Sequence, residues 1–528
     1  MLCVSDWREL SLRERIGQTV VSLSETEEHI RRCGSIEAFC KRYPIGGLFN
    51  NRGLVKGLLT GENPDFAALL ESYNQFLRVP LIGTADRGAF AIGTGNQLLP
   101  QMALGAADDE EAAYQAGEYM ARDCRLSGVH WVFWPICDLN ISPLSPITNI
   151  RAVSDDPERT AKIVSAELKA LKDGGVAATL KHYPGSPYNE TMDPHLSPID
   201  NETPISFWRE TYGKLYTRLF EEGAPAVMTG HINLSDYQKE LTCGSKPPAT
   251  LSQELTTDLL RGELGFRGVT VTDALVMGGF QGTQALENTI RSFLAGNDVL
   301  LWPAYEYIDR MEQMILSGEI GEERLNEAVD RIWKLKAEYG VLRPREELSE
   351  TDPSYFSLRS RNAARKCLTL LNNRFGLLPA SPEKVRKIAV IAVTPDDGQA
   401  EELEYLKTAL ECYGAKVSFQ RNVWTEKAEK LAKENDLIIF ALCRTPHRPI
   451  GPLDFWGEEA TSVWASNCTD KRKTLAVSFG SPYFYRYYKN SGVTYVNAYS
   501  TAKPVLEAFA AALFGKIPFS GDSPVRLD

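Results

Sequence analysis

Disulfide spacing, zinc-ligand spacing, long basic runs and membrane-length apolar runs are all missing from this chain of 528 residues. Its ten cysteines are scattered without a CxxC pair. Most sit beside apolar residues, as in Ile136-Cys137 and Leu442-Cys443. That pattern argues against a disulfide scaffold or a metal site and fits free, buried thiols in a reducing compartment. The formal net charge is -11, and no basic cluster interrupts it, so no nucleic-acid partner is expected. No apolar run approaches the roughly 20 residues that span a bilayer, so no membrane partner is expected either. The opening Met1-Leu-Cys-Val-Ser-Asp-Trp-Arg-Glu-Leu10 lacks the charged-then-apolar pattern of a leader, and a cytoplasmic location follows as the expectation. No GxGxxG follows a strand, so neither a dinucleotide nor another cofactor is implied.

What the chain does have is alternation. Helical periodicity covers residues 11–32, with Ile16, Val20 and Leu23 on one face. Further helices are expected at 64–77, 109–128, 157–174, 206–222, 252–264 and 284–295, with two more over 307–340. Between them lie short apolar strands: Ile45–Phe49, Val79–Ala85, Val129–Cys137, Val176–Leu180, Ala226–Gly230, Gly268–Thr272 and Asp298–Trp302. Short Val/Ile-rich strands with helical crossovers imply a parallel sheet covered on both faces. Seven or eight repeats favour a closed (β/α)8 TIM-type barrel over residues 1–345. Residues 346–385 are charged and Pro-containing and read as a linker, with a short strand at Cys367–Leu371. Residues 386–528 read as a smaller α/β sandwich domain with five strands, the expected content of a doubly wound sheet.

Polar residues stand just past the strand ends: Asp86, Asp138, Lys181, His182, His231 and Asp273. Such barrels place their chemistry at the carboxyl ends of their strands. Capping of buried strands explains one or two of the six; six together point to a site. Asp138 serves as either ligand or scaffold, and Trp302 as either a stacking platform or packing. The loop after Leu180 is rich in Pro and Gly and carries Asp193-Pro-His195. An Asp two residues before a His bonds one ring nitrogen and leaves the other free for proton transfer. By itself that spacing describes a surface turn more often than a catalytic pair. Asp273 ends a strand, where a carboxylate acts either as a helix cap or as a nucleophile towards an anomeric carbon. Asp454-Phe-Trp456 is a second-domain loop that would have to reach the barrel mouth to take part.

Taken together, the motifs resemble glycoside hydrolase family 3, in its β-N-acetylglucosaminidase branch. The resemblance rests on Leu10-Ser-Leu-Arg-Glu-Arg-Ile-Gly-Gln18, Gly46-Gly-Leu-Phe49, Arg151 followed by Ser154-Asp-Asp-Pro157, and Lys181-His-Tyr-Pro-Gly185. It also rests on Asp193-Pro-His195, on Val271-Thr-Asp273 with Met277, and on Gly480-Ser-Pro-Tyr483, Ala498-Tyr-Ser500 and Pro524-Val-Arg-Leu527. The chain departs from the family at Asp86-Arg-Gly-Ala-Phe90, at Gly185-Ser-Pro187, and at Pro194 inside the Asp-X-His pair.

The resemblance implies a retaining hydrolase of terminal β-linked N-acetylglucosamine, acting on a small glycoside or oligosaccharide such as a cell-wall fragment in recycling. Asp273 would be the nucleophile, His195 the general acid/base, and Asp193 its orienting partner. Asp86, Arg151, Lys181, His182, His231 and Met277 would line the sugar site, with His231 in a supporting position. A histidine acid/base adds no second negative charge, so phosphorolysis stays open as an alternative. A non-catalytic sugar-binding homologue is another. A metal-dependent hydrolase using His182, His231 and Asp273 is a third reading, but the first strand offers no His-X-His. A β-glucosidase of the same family would not need Asp193-Pro-His195. Oligomeric state is not legible.

Overall fold

The computed structural model describes residues 4–50, 66–86, 98–188, 190–242, 244–280, 285–343, 353–446 and 451–527. Arg87–Phe90, four of the five residues of one sequence departure, and the start of the expected linker lie outside these residues.

Eight short strands make up the N-terminal unit: β1 (Val20–Leu23), β2 (Gly47–Phe49), β3 (Ile82–Ala85), β4 (Trp131–Val132), β5 (Leu180–Tyr183), β6 (Ala226–Thr229), β7 (Val269–Thr272) and β8 (Leu300–Leu301). They run in the orders β4-β3-β2-β1-β8 and β5-β6-β7, all parallel. Isolated parallel bridges Trp131↔Ala177 and Ile136↔Lys181 link the β4 and β5 segments, and Val271↔Val299 links β7 to the start of β8. A single inner cluster draws Val21, Phe49, Ile82, Trp131, Met228, Val271 and Leu301 together. Helices lie outside. Pro157–Asp173 begins at Asp156, whose carboxylate accepts from the Glu158 and Arg159 amides, with Pro157 at the first position.

The expected helix over 11–32 is three elements. Helix Leu12–Gln18 starts in a capping box between Ser11 and Glu14. It stops at Thr19, and β1 follows before helix Thr26–Cys33. Ile16, Val20 and Leu23 satisfy helical spacing, but Thr19-Val-Val21 is β-branched and, with Ser22, buried, which suits a strand between two others. A second correction concerns β5. The sequence places the strand at Val176–Leu180 with Lys181 and His182 beyond it, whereas β5 includes both, and its register with β6 shifts between Leu180 and Tyr183.

The second sheet contains β9 (Thr369–Asn372), β10 (Lys387–Val393), β11 (Lys416–Arg421), β12 (Leu437–Leu442), β13 (Thr474–Ser478) and β14 (Thr494–Asn497). Its order is β11-β10-β12-β13-β14-β9. The five strands β10 to β14 are parallel in the order 2-1-3-4-5, a doubly wound arrangement. β9 adds antiparallel to β14. Alternate residues of β12 enter two different apolar clusters, one per face, as the near-continuous apolar run Leu437-Ile-Ile-Phe-Ala-Leu442 requires.

The two units meet at the loop after β4. Tyr483 Oη donates to the Asn140 carbonyl at 3.0 Å, and Asn149 Nδ2 donates to Ser481 Oγ at 3.2 Å. The Arg526 amide donates to Asp155 Oδ2 at 2.9 Å. The second unit therefore braces the segment that carries Arg151.

Candidate active site

The residues singled out in the sequence gather at the carboxyl ends of β3, β5, β6 and β7 and on the loops that follow. Lys181 is almost wholly buried on β5, and its Nζ lies 2.9 Å from Asp86 Oδ2, just past β3. A buried ammonium needs such a partner, because leaving it unpaired costs several kcal/mol, roughly 3–5. Next along β5, His182 Nδ1 lies 2.7 Å from Asp138 Oδ2. The same oxygen accepts from the His182 amide at 3.2 Å, and Asp138 Oδ1 accepts from the Ser186 amide at 3.1 Å. Asp138 is buried and thereby acts as the scaffold that fixes the His182 ring. A carboxylate at Nδ1 puts the proton there and turns Nε2 to the open side.

Asp193 and His195 form a second pair. Asp193 Oδ1 accepts from the His195 amide at 2.8 Å and from Nδ1 at 2.7 Å. The Asp193 side chain is fully buried while that of His195 is 42% exposed, so the pair has a fixed end and an accessible end. Its loop is fastened to the turn after β7: the Gly278 amide donates to the His195 carbonyl at 2.9 Å and the Gly279 amide to the Pro194 carbonyl at 3.1 Å. Both glycines are needed for that approach. A Cβ on Gly278 would stand 2.6 Å from the Leu196 carbonyl oxygen, and one on Gly279 would stand 2.7 Å from that of Pro194.

Asp273 opens that turn. Its amide donates to the Thr229 carbonyl at 2.9 Å, and its Oδ1 accepts from the Ala274 amide at 2.7 Å. Burial alone would raise its pKa, but His182, His231 and His195, in that order, outweigh burial and hold the carboxyl below its ordinary value. His231 is itself driven towards the neutral form by burial. His231 is wholly enclosed, with Nε2 at 3.0 Å from the Ala274 carbonyl and Nδ1 at 2.8 Å from Thr250 Oγ1. The carbonyl can only accept, so Nε2 carries the proton. With both nitrogens engaged, His231 holds the turn after Asp273 in place. That engagement also leaves His231 no nitrogen for a metal ion, which removes one ligand from the His182, His231 and Asp273 set.

Arg151 ends a short helical turn and is buried, with Nη1 donating to the Ile147 carbonyl at 3.0 Å. Met277 is buried in the inner cluster, against which Trp302 packs; Trp302 stands edge-on to Phe49 at 5.0 Å. Asp454 is held within its own unit by Arg486 at 3.0 Å and by Tyr487 Oη. Sequence reading passed over Glu190, which is buried between the two site loops. A second acidic residue in the Pro-rich loop, three positions before Asp193, was the available signal.

Residues 11–335 match the glycosyl hydrolase family 3 N terminal domain. A protein of Cellulomonas fimi described as β-N-acetylglucosaminidase/β-glucosidase is 29% identical over 506 residues, 90% of this chain and 89% of that one. Among solved structures, "Beta-glucoside phosphorylase BglX" is 26% identical with a TM-score of 0.82, covering 98% of this chain and 94% of its own. A glycoside hydrolase family 3 β-N-acetylglucosaminidase from Paenibacillus sp. str. FPU-7 shares the fold, with a TM-score of 0.81 at 23% identity, covering 98% and 99% of the two chains.

Proposed function

This chain belongs to glycosyl hydrolase family 3, and on that premise we propose that it is a retaining β-N-acetylglucosaminidase. In this reading β1 to β8 close as a (β/α)8 barrel over residues 1–345, and residues 386–528 form an α/β sandwich domain behind the 346–385 linker. The observation that carries the proposal is the fastening of the Asp193–His195 pair to the turn that begins with Asp273.

Asp273, held ionised by its histidine neighbours, attacks the anomeric carbon and forms a glycosyl ester. His195, with Nδ1 on Asp193, presents Nε2 to the leaving oxygen and protonates it. The same nitrogen then takes a proton from the water that cleaves the ester. Asp193 stabilises the charged ring in the first half and keeps its orientation in the second. Asp86, Arg151, Lys181 and His182 offer donors and acceptors for the sugar hydroxyls. His231 and Met277 support the pocket from behind. We read terminal β-linked N-acetylglucosamine on cell-wall fragments in the cytoplasm as the substrate. No helix among the described residues is long and apolar enough to cross a membrane.

Phosphorolysis is a second reading, favoured by one observation: the group fastened to the Asp273 turn is the imidazole of His195, so a phosphate attacking the Asp273 ester would meet a histidine where a carboxylate acid/base would repel it. The similarity to a β-glucoside phosphorylase points the same way. Nitrophenol release from the aryl β-N-acetylglucosaminide, in buffers with and without phosphate and with the aryl β-glucoside as control, separates the readings. Free sugar at a rate independent of phosphate is the expected result. A sugar phosphate reassigns the reaction. Binding of N-acetylglucosamine without turnover reduces the chain to a sugar-binding homologue.

A further inference from the structure

The loop that carries Asp193 and His195 has little apolar anchorage. Tyr188, Met192 and Leu196 are 48%, 52% and 57% exposed, so burial of large side chains does not fix it. Polar contacts do. On one side are the Gly278 and Gly279 amides. On the other is Glu190, three positions before Asp193 and buried. Its Oε2 accepts from Thr148 Oγ1 at 3.0 Å and from Ser145 Oγ, and its carbonyl accepts from Ser142 Oγ at 2.7 Å. All three hydroxyls belong to the loop after β4, which also carries Asp138 and Arg151 and is braced by the second unit.

We propose that Glu190 is a positioning residue that staples the Asp193–His195 loop to the Arg151 loop and so sets where His195 stands over the leaving group. The proposal rests on the glycosidase reading above and deepens it. Glu190 touches none of the reacting groups and acts through the loop. Burial, with Asp138 adding to it, pushes its pKa up to about 7 against the pull of the Ser145 and Thr148 hydroxyls and Arg151. A glutamine, which keeps an oxygen for the two hydroxyls, therefore reproduces much of what the carboxyl does.

The test compares wild type, Glu190→Ala, Glu190→Gln and the partner-side Thr148→Val on two substrates: an aryl β-N-acetylglucosaminide and the unactivated N-acetylglucosamine disaccharide. Hydrogen exchange of residues 188–196 is followed in the same proteins. A misplaced general acid matters when the leaving group is poor. Glu190→Ala should therefore lower kcat/KM on the disaccharide roughly tenfold or more, part of the 10²–10⁴-fold that general acid–base catalysis supplies. Its kcat/KM on the aryl substrate, which reports only the first step, should change little. Exchange in 188–196 should speed up while the strands stay protected. Glu190→Gln should restore the disaccharide rate, and Thr148→Val should fall between. Equal losses on both substrates, or unchanged exchange in 188–196, overturns the proposal. If Glu190→Ala does not fold, the selective loss in Thr148→Val decides. A wild type that turns over neither substrate sinks the glycosidase reading and the catalytic role of the staple, while the exchange data separately show whether the staple holds the loop.

Discussion

The His195 carbonyl accepts a hydrogen bond from the Gly278 amide at 2.9 Å, so the backbone of the proposed general acid is tied to the turn that follows the proposed nucleophile. Gly278 lies five positions after Asp273, and through this bond that turn shares one corner with a loop some eighty residues earlier. In this account the backbone, more than side-chain reach, fixes how His195 stands relative to Asp273.

That arrangement makes Gly278→Ala a sensitive probe. The new methyl would press on the Leu196 and His195 carbonyl oxygens at 2.6 and 2.8 Å, and both are backbone atoms that move only with the loop. Overpacking of this kind costs about 1–3 kcal/mol. The expected outcome is a modestly lower urea midpoint, with a larger fall in kcat/KM for poor leaving groups than for activated ones. An unchanged kcat/KM on both would show that the corner does not position His195.

The charge around Asp273 predicts a pH effect. Burial raises its pKa and the histidines, His182 foremost, lower it by more. Removing positive charge lets burial count for more, so the carboxyl binds its proton at a higher pH. His182→Gln should move the acid limb of kcat/KM upward, measured on an activated aryl substrate where protonation of the leaving group matters least. A limb that stays in place, or moves down, would mean that His182 does not keep Asp273 ionised.

Stability should carry its own pH signature at Glu167. This carboxyl lies on helix Pro157–Asp173 against Gln101 Nε2 at 2.7 Å and Trp134 Nε1 at 3.1 Å. Burial raises its pKa from 4.5 to about 8, partly opposed by those two donors. The folded chain thus keeps a proton that the unfolded chain releases near the ordinary value. Stability is full below that value, declines as pH rises, and levels off above about 8, a loss on the order of a few kcal/mol. Tm measured from pH 5 to 9 should fall along this course in wild type and more shallowly in Glu167→Gln, where Glu190, also raised by burial, still contributes.

Much of the architecture was legible because the strand–helix alternation repeats and each strand is an apolar run closed by a polar residue. What escaped had physical causes. β1 hides inside a helical period, since its four residues, three of them buried, are too few to display alternation. The expected strand over Val129–Cys137 shrinks to Trp131–Val132, because Pro135 has no amide to continue the ladder. In the site, Asp193 and His195 could be paired from sequence because they are two residues apart. The partner of Glu190 could not, because Thr148 lies 42 positions earlier and nothing local marks it. His231 reads as a supporting residue of the pocket, but its two partners, Thr250 and the Ala274 carbonyl, lie too far along the chain to be named from sequence.

The central claim is that Asp273 forms a covalent glycosyl intermediate which water then releases with retained configuration. It is tested most directly by following the first-formed product of the aryl β-N-acetylglucosaminide by proton NMR, before mutarotation, in wild type and in Asp273→Asn. The account predicts β-N-acetylglucosamine as the first product of wild type and near-complete loss of turnover in the variant, which keeps the fold but not the nucleophile. An α-anomer as first product, or a variant that turns over at the wild-type rate, would contradict it.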